Sequence, residues 1–135
     1  MTGVANFNNQ IFCGGSLIAS QWVLTAAHCM YINGDFSRPW SANQLRVVLG
    51  EHDLTISTEN KIPKIEVKVE EIIKHSEYDE DTSDNDVALL KLTTEVDLDT
   101  YTPVCLPKAT DSFIGKRAWV YGKCNGTKVL YPSKR

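Results

Sequence analysis

The sequence has no long apolar run. Stretches such as Trp22-Val23-Leu24 are only a few residues long, whereas a helix that crosses a bilayer needs about 20. It has little excess charge. Fourteen Lys and Arg against 17 Asp and Glu leave a net −3 over 135 residues, so neither nucleic acid nor an anionic membrane is indicated as a partner. There is no C-x-x-C spacing among Cys13, Cys29, Cys105 and Cys124. That argues against zinc and for disulfides in an oxidising compartment. No leader is visible either: residues 1–20 hold no basic opening and no apolar core, and Asn6 to Gln10 is polar. The cysteines therefore point to secretion while the N-terminus offers no route to it, and the chain is expected to be incomplete at its start. Internal repeats and low-complexity linkers are also absent.

What is present reads as one ordinary globular domain, 42% hydrophobic and 23% charged. A domain of this size buries roughly two-thirds of its unfolded surface. The apolar segments are short and strand-like. Phe12 to Ala19 and Trp22 to Thr25 flank a turn-like Ser20-Gln21, and Leu45 to Leu49 is closed by Gly50. Ile65 to Val69 alternates with period two before running into Ile72-Ile73. Val87 to Leu92 and Ala118 to Tyr121 complete six strands. Short strands with loops between them predict an all-β barrel or sandwich. Thr25 to Cys29 allows one helical turn at most, while Met30 to Asn43 and the acidic Ser76 to Asn85 are expected as long loops.

Two segments carry chemistry. Cys13 to Cys29 reads as two short strands that a Cys13–Cys29 bridge could staple, with His28 beside the staple. Such a bridge would contribute about 3 kcal/mol in the chain-entropy model and would fix the backbone of a general base, which must be held closely. Taken alone, His28 reads first as a structural histidine. Asp86 sits at the mouth of the apolar strand Val87 to Leu92. It could accept the ring N–H of a histidine, or simply cap a turn.

Taken together, the segments resemble the trypsin/chymotrypsin family of serine proteases. Leu24-Thr25-Ala26-Ala27-His28-Cys29 and Asp86-Val87-Ala88-Leu89-Leu90 are similar to that family's histidine and aspartate signatures. Cys13-Gly14-Gly15-Ser16-Leu17-Ile18 resembles the strand that precedes them. Leu45 to Asp53 resembles the following strand and loop, and Pro103-Val104-Cys105-Leu106-Pro107 the linker between two barrels. The five segments lie in family order over about residues 7–122. The resemblance implies an antiparallel Greek-key barrel over residues 1–108, the start of a second barrel over 109–122 and a divergent tail over 123–135. It implies His28 as general base, Asp86 as its orienting partner and Cys13–Cys29 as a disulfide. The implied activity is that of a secreted serine endopeptidase acting on protein or peptide substrates, by the established mechanism of this triad.

Several family features are not matched. The order in this family is His, Asp, then Ser in a Gly-Asp-Ser-Gly type segment. The serines after Asp86 are Ser112 and Ser133, neither in a glycine-rich turn. Nucleophile, oxyanion hole, specificity pocket and activation N-terminus are thus expected to be missing, leaving these residues inactive alone. A non-catalytic homologue acting as a binding module, or a non-functional truncated product, are the competing readings. Resemblance stops after Gly122; Gly-Lys can be encoded by GGTAAG, so residues 123–135 can be read as intron read-through or as a diverged loop. Cys105 resembles a cysteine that often bridges to a pro-segment, and a Cys105–Cys124 bridge is the alternative. Asn125-Gly126-Thr127 is a glycosylation sequon. No cofactor is implied. Glu51 and Asp53 resemble part of a calcium loop, but Thr58 and Lys61 stand where further acidic ligands are expected, so a solvated loop is the better reading. The acidic run from Glu77 to Asp84 is expected to be a solvated face, with an exosite for basic partners as its functional alternative.

Overall fold

The computed structural model describes residues 2–50 and 62–117, together with the backbone of 119–124 and 127–132. The chain divides into two compact units, Met1–Cys105 and Leu106–Arg135. In the first unit, strands β1 (Thr2–Asn6), β2 (Ile11–Ala19) and β3 (Trp22–Thr25) are followed by a single 3-10 turn, His28–Met30. A small hairpin comes next, β4 (Tyr31–Ile32) and β5 (Asp35–Pro39), then a second 3-10 turn, Ala42–Gln44. Strands β6 (Leu45–Leu49), β7 (Ile65–Lys74) and β8 (Ala88–Leu92) complete the unit. The second unit contains an antiparallel pair, β9 (Trp119–Cys124) and β10 (Thr127–Pro132).

Six strands close into an antiparallel barrel in the spatial order β1-β2-β3-β8-β7-β6. The third strand pairs with the last rather than with its sequence successor, which gives the Greek-key crossing that the resemblance implies. Closure leaves no open edge in this sheet. Alternation supplies the core: Ala88, Leu90 and Leu92 of β8 point inward with Val23, Val47, Leu49, Val67 and Val69. Each fully buried aliphatic side chain contributes roughly 1.5–3 kcal/mol relative to exposure.

The expected strands are found with small shifts, and three differences have physical causes. β1 is nearly all buried and so shows no period-two pattern. In β7 the inward phase moves from Val67 and Val69 to Ile72, because the register with β8 slips between Val69 and Glu71. That slip is a β-bulge, which resets which face each later residue occupies. The segment 30–43, read above as a loop, instead folds into the β4–β5 hairpin and a 3-10 turn. Ser41 and Gln44 close that turn reciprocally as a capping box.

Gly50 ends β6 with φ +80°, and a Cβ there would collide with the carbonyl oxygen of Pro63. Only glycine fits where the two chain segments pass so closely. The calcium-loop positions Glu51, Asp53, Thr58 and Lys61 lie outside the described residues. Among the described residues, no helix is long and apolar enough to cross a membrane.

Candidate active site

Strand pairing brings the two candidate residues together. Thr25, the last residue of β3, is the partner of Ala88, the first residue of β8. The chain leaving β3 and the chain entering β8 therefore meet at one end of the barrel. His28 lies three residues beyond Thr25, and Asp86 two before Ala88. A hydrogen bond from Thr25 Oγ1 to the Gly14 carbonyl, 2.8 Å, ties the exit of β3 to β2.

The Cys13–Cys29 disulfide is present, with Cα atoms 6.2 Å apart. It links β2 to the 3-10 turn that carries His28. Ala27, just before the turn, and Met30, its last residue, are buried, so the turn is anchored both covalently and by packing. Cys13, His28 and Cys29 place their ligand atoms within 4.8 Å of one another. Both sulfurs are committed to the disulfide, however, and offer no thiolate to a metal ion.

Asp86 holds His28 twice. Its Oδ2 lies 2.7 Å from His28 Nδ1, and its Oδ1 accepts the His28 backbone N–H at 2.8 Å. Burial raises the Asp86 pKa, but the backbone and side-chain bonds from His28, its charge and the Ala27 amide outweigh this and hold the carboxyl below its usual range. An ionised carboxylate only accepts, so the proton between the two side chains belongs to Nδ1. In the neutral ring, Nε2 then carries the free lone pair, the state of a general base. Nε2 sits 3.5 Å from Cys29 Sγ, and the His28 side chain is 58% exposed against 25% for Asp86. The imidazole is thus the more exposed member of the pair and the carboxylate the more buried one.

The loop before Asp86 is folded by its own polar groups. The Asp79 carboxylate accepts the amides of Asp81 and Thr82 at 2.8 and 3.0 Å. These bonds hold its carboxyl below the usual range, against a smaller opposing effect of burial. Asn85 Nδ2 donates to the Glu77 carbonyl at 2.9 Å. Ser83 and Asn85 take left-handed φ values of +61° and +56°. Glu77, Glu80, Asp81 and Asp84 are exposed, as a solvated face requires.

Two aromatic features went unread in the sequence. Tyr78 packs against the core, 6.4 Å from the Tyr31 ring, with its hydroxyl buried and without a hydrogen-bond partner among the described residues. Burial and then the Asp86 charge push its pKa up. Phe12 stacks on Trp40 at 5.4 Å beside the disulfide. No single-residue pattern marks such neighbours, since only the fold brings each pair of rings together. Ser112 and Cys105 are exposed, and Cys105 forms no disulfide among the described residues; the side chain of Cys124 lies outside them.

Comparison with known proteins gives the same reading. The family described as Trypsin matches residues 1–130, beyond Gly122, where the motif resemblance ends. Serine protease filzig of Drosophila melanogaster is 39% identical over 111 residues, covering 82% of this chain and 6% of that protein. Mannan-binding lectin serine protease 1 of Homo sapiens is 35% identical over 113 residues, covering 78% and 16%. Serine protease SSP1 of Scolopendra subspinipes is 40% identical over 111 residues, covering 82% and 36%. The chain thus spans about a third or less of the length of each of these relatives. With a closed Greek-key barrel, a histidine clamped by an aspartate and a family match over almost every residue, the chain belongs to the trypsin family.

Proposed function

We propose that these residues form the half of a serine endopeptidase that carries the general base. His28 would take the proton of a serine hydroxyl through Nε2 and return it to the leaving amine. Asp86 would hold the ring and stabilise the imidazolium. One observation carries this reading: Asp86 grips both Nδ1 and the backbone amide of His28, which fixes the tautomer and leaves the lone pair on Nε2. Family membership supports proteolysis as the reaction class. The substrate is then a protein or peptide, and the disulfide favours a secreted protein.

In this reading residues 1–108 are the first barrel, 109–122 open a second, and 123–135 are a divergent tail. The nucleophile, oxyanion hole and specificity pocket come from residues outside these 135, and Cys105 is the attachment point for a pro-segment. By themselves, residues 1–135 then hydrolyse no peptide. Co-refolding them with the second barrel of a trypsin-family relative should restore labelling by a fluorophosphonate serine probe. His28→Ala should abolish that labelling, and Asp86→Asn should lower turnover by about 10⁴, as removing the orienting carboxylate does in this triad. Labelling indifferent to His28, or hydrolysis by residues 1–135 alone that is lost in His28→Ala, refutes the assignment. Intact folding with no labelling in any pairing favours the second reading, a non-catalytic binding module.

A further inference from the structure

The β4–β5 hairpin follows directly from the turn that carries His28. Its connection is two residues long, with Ile32 paired to Asp35 across Asn33-Gly34. Asn33 and Gly34 both have positive φ, +55° and +74°. That is the type I′ geometry, for which Asn-Gly is the preferred pair. The same pair is chemically labile. A backbone nitrogen followed by no side chain can reach the preceding asparagine Cγ, and a Cβ at Gly34 would meet open space with nothing within 4 Å.

The structure separates Asn33 from the other asparagines. Asn6 accepts the amides of Asn8 and Gln10 through its side chain, and Asn85 donates to Glu77. Asn9 and Asn85 share the left-handed φ but precede Gln10 and Asp86. Among the described residues, only Asn33 combines an exposed position, a glycine after it and an amide with no hydrogen bond. The hairpin is also thinly paired towards its tip. Its pairing consists of Tyr31 with Pro39 and Ile32 with Asp35, interrupted by an irregularity, and every residue of β5 is exposed. An isolated two-stranded ribbon is marginal in water, so local opening samples the attacking geometry.

We infer that Asn33-Gly34 is a site of spontaneous deamidation in the folded protein, and that the product breaks the hairpin beside the His28 turn. The Gly34 nitrogen loses its proton and bonds to Asn33 Cγ; the Cγ–Nδ2 bond breaks and ammonia leaves. Water then opens the five-membered imide at either carbonyl, giving a normal aspartyl or an isoaspartyl linkage. The aspartyl form tolerates the left-handed turn. The isoaspartyl form adds a methylene to the backbone, and a two-residue turn then no longer keeps Ile32 opposite Asp35. The edge contact of Tyr31 with Phe36, 5.0 Å between ring centroids at 74°, depends on that register.

The test is incubation of the folded chain at mildly alkaline pH, followed by peptide mapping and enzymatic isoaspartate methylation. Acid and isoaspartate should appear at position 33 about tenfold faster than at Asn9, Asn43 or Asn85, a factor equal to ~1.4 kcal/mol of barrier. Asn33→Gln should remove the methylation signal from the peptide that spans position 33, while leaving the far-ultraviolet spectrum unchanged; Asn125-Gly126, the second such pair in the sequence, is mapped on its own peptide. Protease cutting within 31–39 should rise in step with isoaspartate in the native chain and stay constant in Asn33→Gln. Modification at position 33 only after denaturation, or equal rates at all four asparagines, overturns the inference.

Discussion

His28 and Asp86 reach the same point by opposite means. The His28 side is short and covalently fixed: four residues of β3, one 3-10 turn, and a disulfide back to β2. The Asp86 side is long and carries no covalent staple among the described residues; the loop from Ser76 to Asn85 is held by its Asp79 and Asn85 hydrogen bonds and by the packing of Tyr78. A covalent staple is indifferent to pH but fails under reductant. A carboxylate-built loop is indifferent to reductant but fails in acid. One 2.7 Å contact therefore has two separate vulnerabilities.

The largest effect should come from the frame that both sides share. Leu90 is fully buried in β8 and paired with Val23 of β3. Leu90→Ala should cost about 2–5 kcal/mol, read as a lower denaturant midpoint, and should loosen both sides together. Loss of the His28 amide contact with the Asp86 loop still protected from hydrogen exchange would break the symmetry of that expectation. Next, Cys13→Ser with Cys29→Ser should cost about 3 kcal/mol. Its damage should concentrate at residues 26–30, and reductant should have no further effect on it.

Acid should act from the other side. The Asp86 carboxyl is held below its ordinary value, so the stability it contributes is complete above the unfolded-chain pKa of about 3.9. That stability is lost as pH falls through the lower folded-state pKa. Asp86→Asn should therefore destabilise the chain near neutrality, and the gap from the native chain should narrow below about pH 4. A gap that stays constant down to strong acid would mean that Asp86 is not ionised in the fold. The smallest effect is expected for Asp79→Ala: faster amide exchange at Asp81 and Thr82, with little change in the global midpoint.

The sequence was most legible where pattern and burial agree. Leu45 to Leu49, Ile65 to Val69 and Val87 to Leu92 are strands because their apolar residues line one barrel interior. Legibility failed where the environment is unusual. Thr2 to Ala5 are buried together, so β1 shows no alternation. Glu70 interrupts an otherwise readable strand with a bulge that only pairing reveals. Asn33-Gly34 is a hairpin signal that sat in a segment read as a loop. At the candidate site, His28 and Asp86 were each ambiguous alone. Their contact depends on β3 lying beside β8, a long-range pairing that local pattern does not encode and only the family resemblance supplied. The Ala27 amide and the buried Tyr78 hydroxyl had no local signal, since any residue carries an amide and tyrosines are common in cores.

The contact between His28 and Asp86 spans 58 residues of chain, and this sets a schedule. At a synthesis rate of about 5–20 residues per second, Asp86 emerges roughly 3–12 s after His28. Long-range β pairing is itself slow to form, because loop closure precedes its reward. Through that interval the imidazole has neither its fixed tautomer nor its anionic neighbour. An oriented imidazole at this position is thus a property of the closed barrel alone, and its appearance would report, in time, the last barrel strand joining the first five.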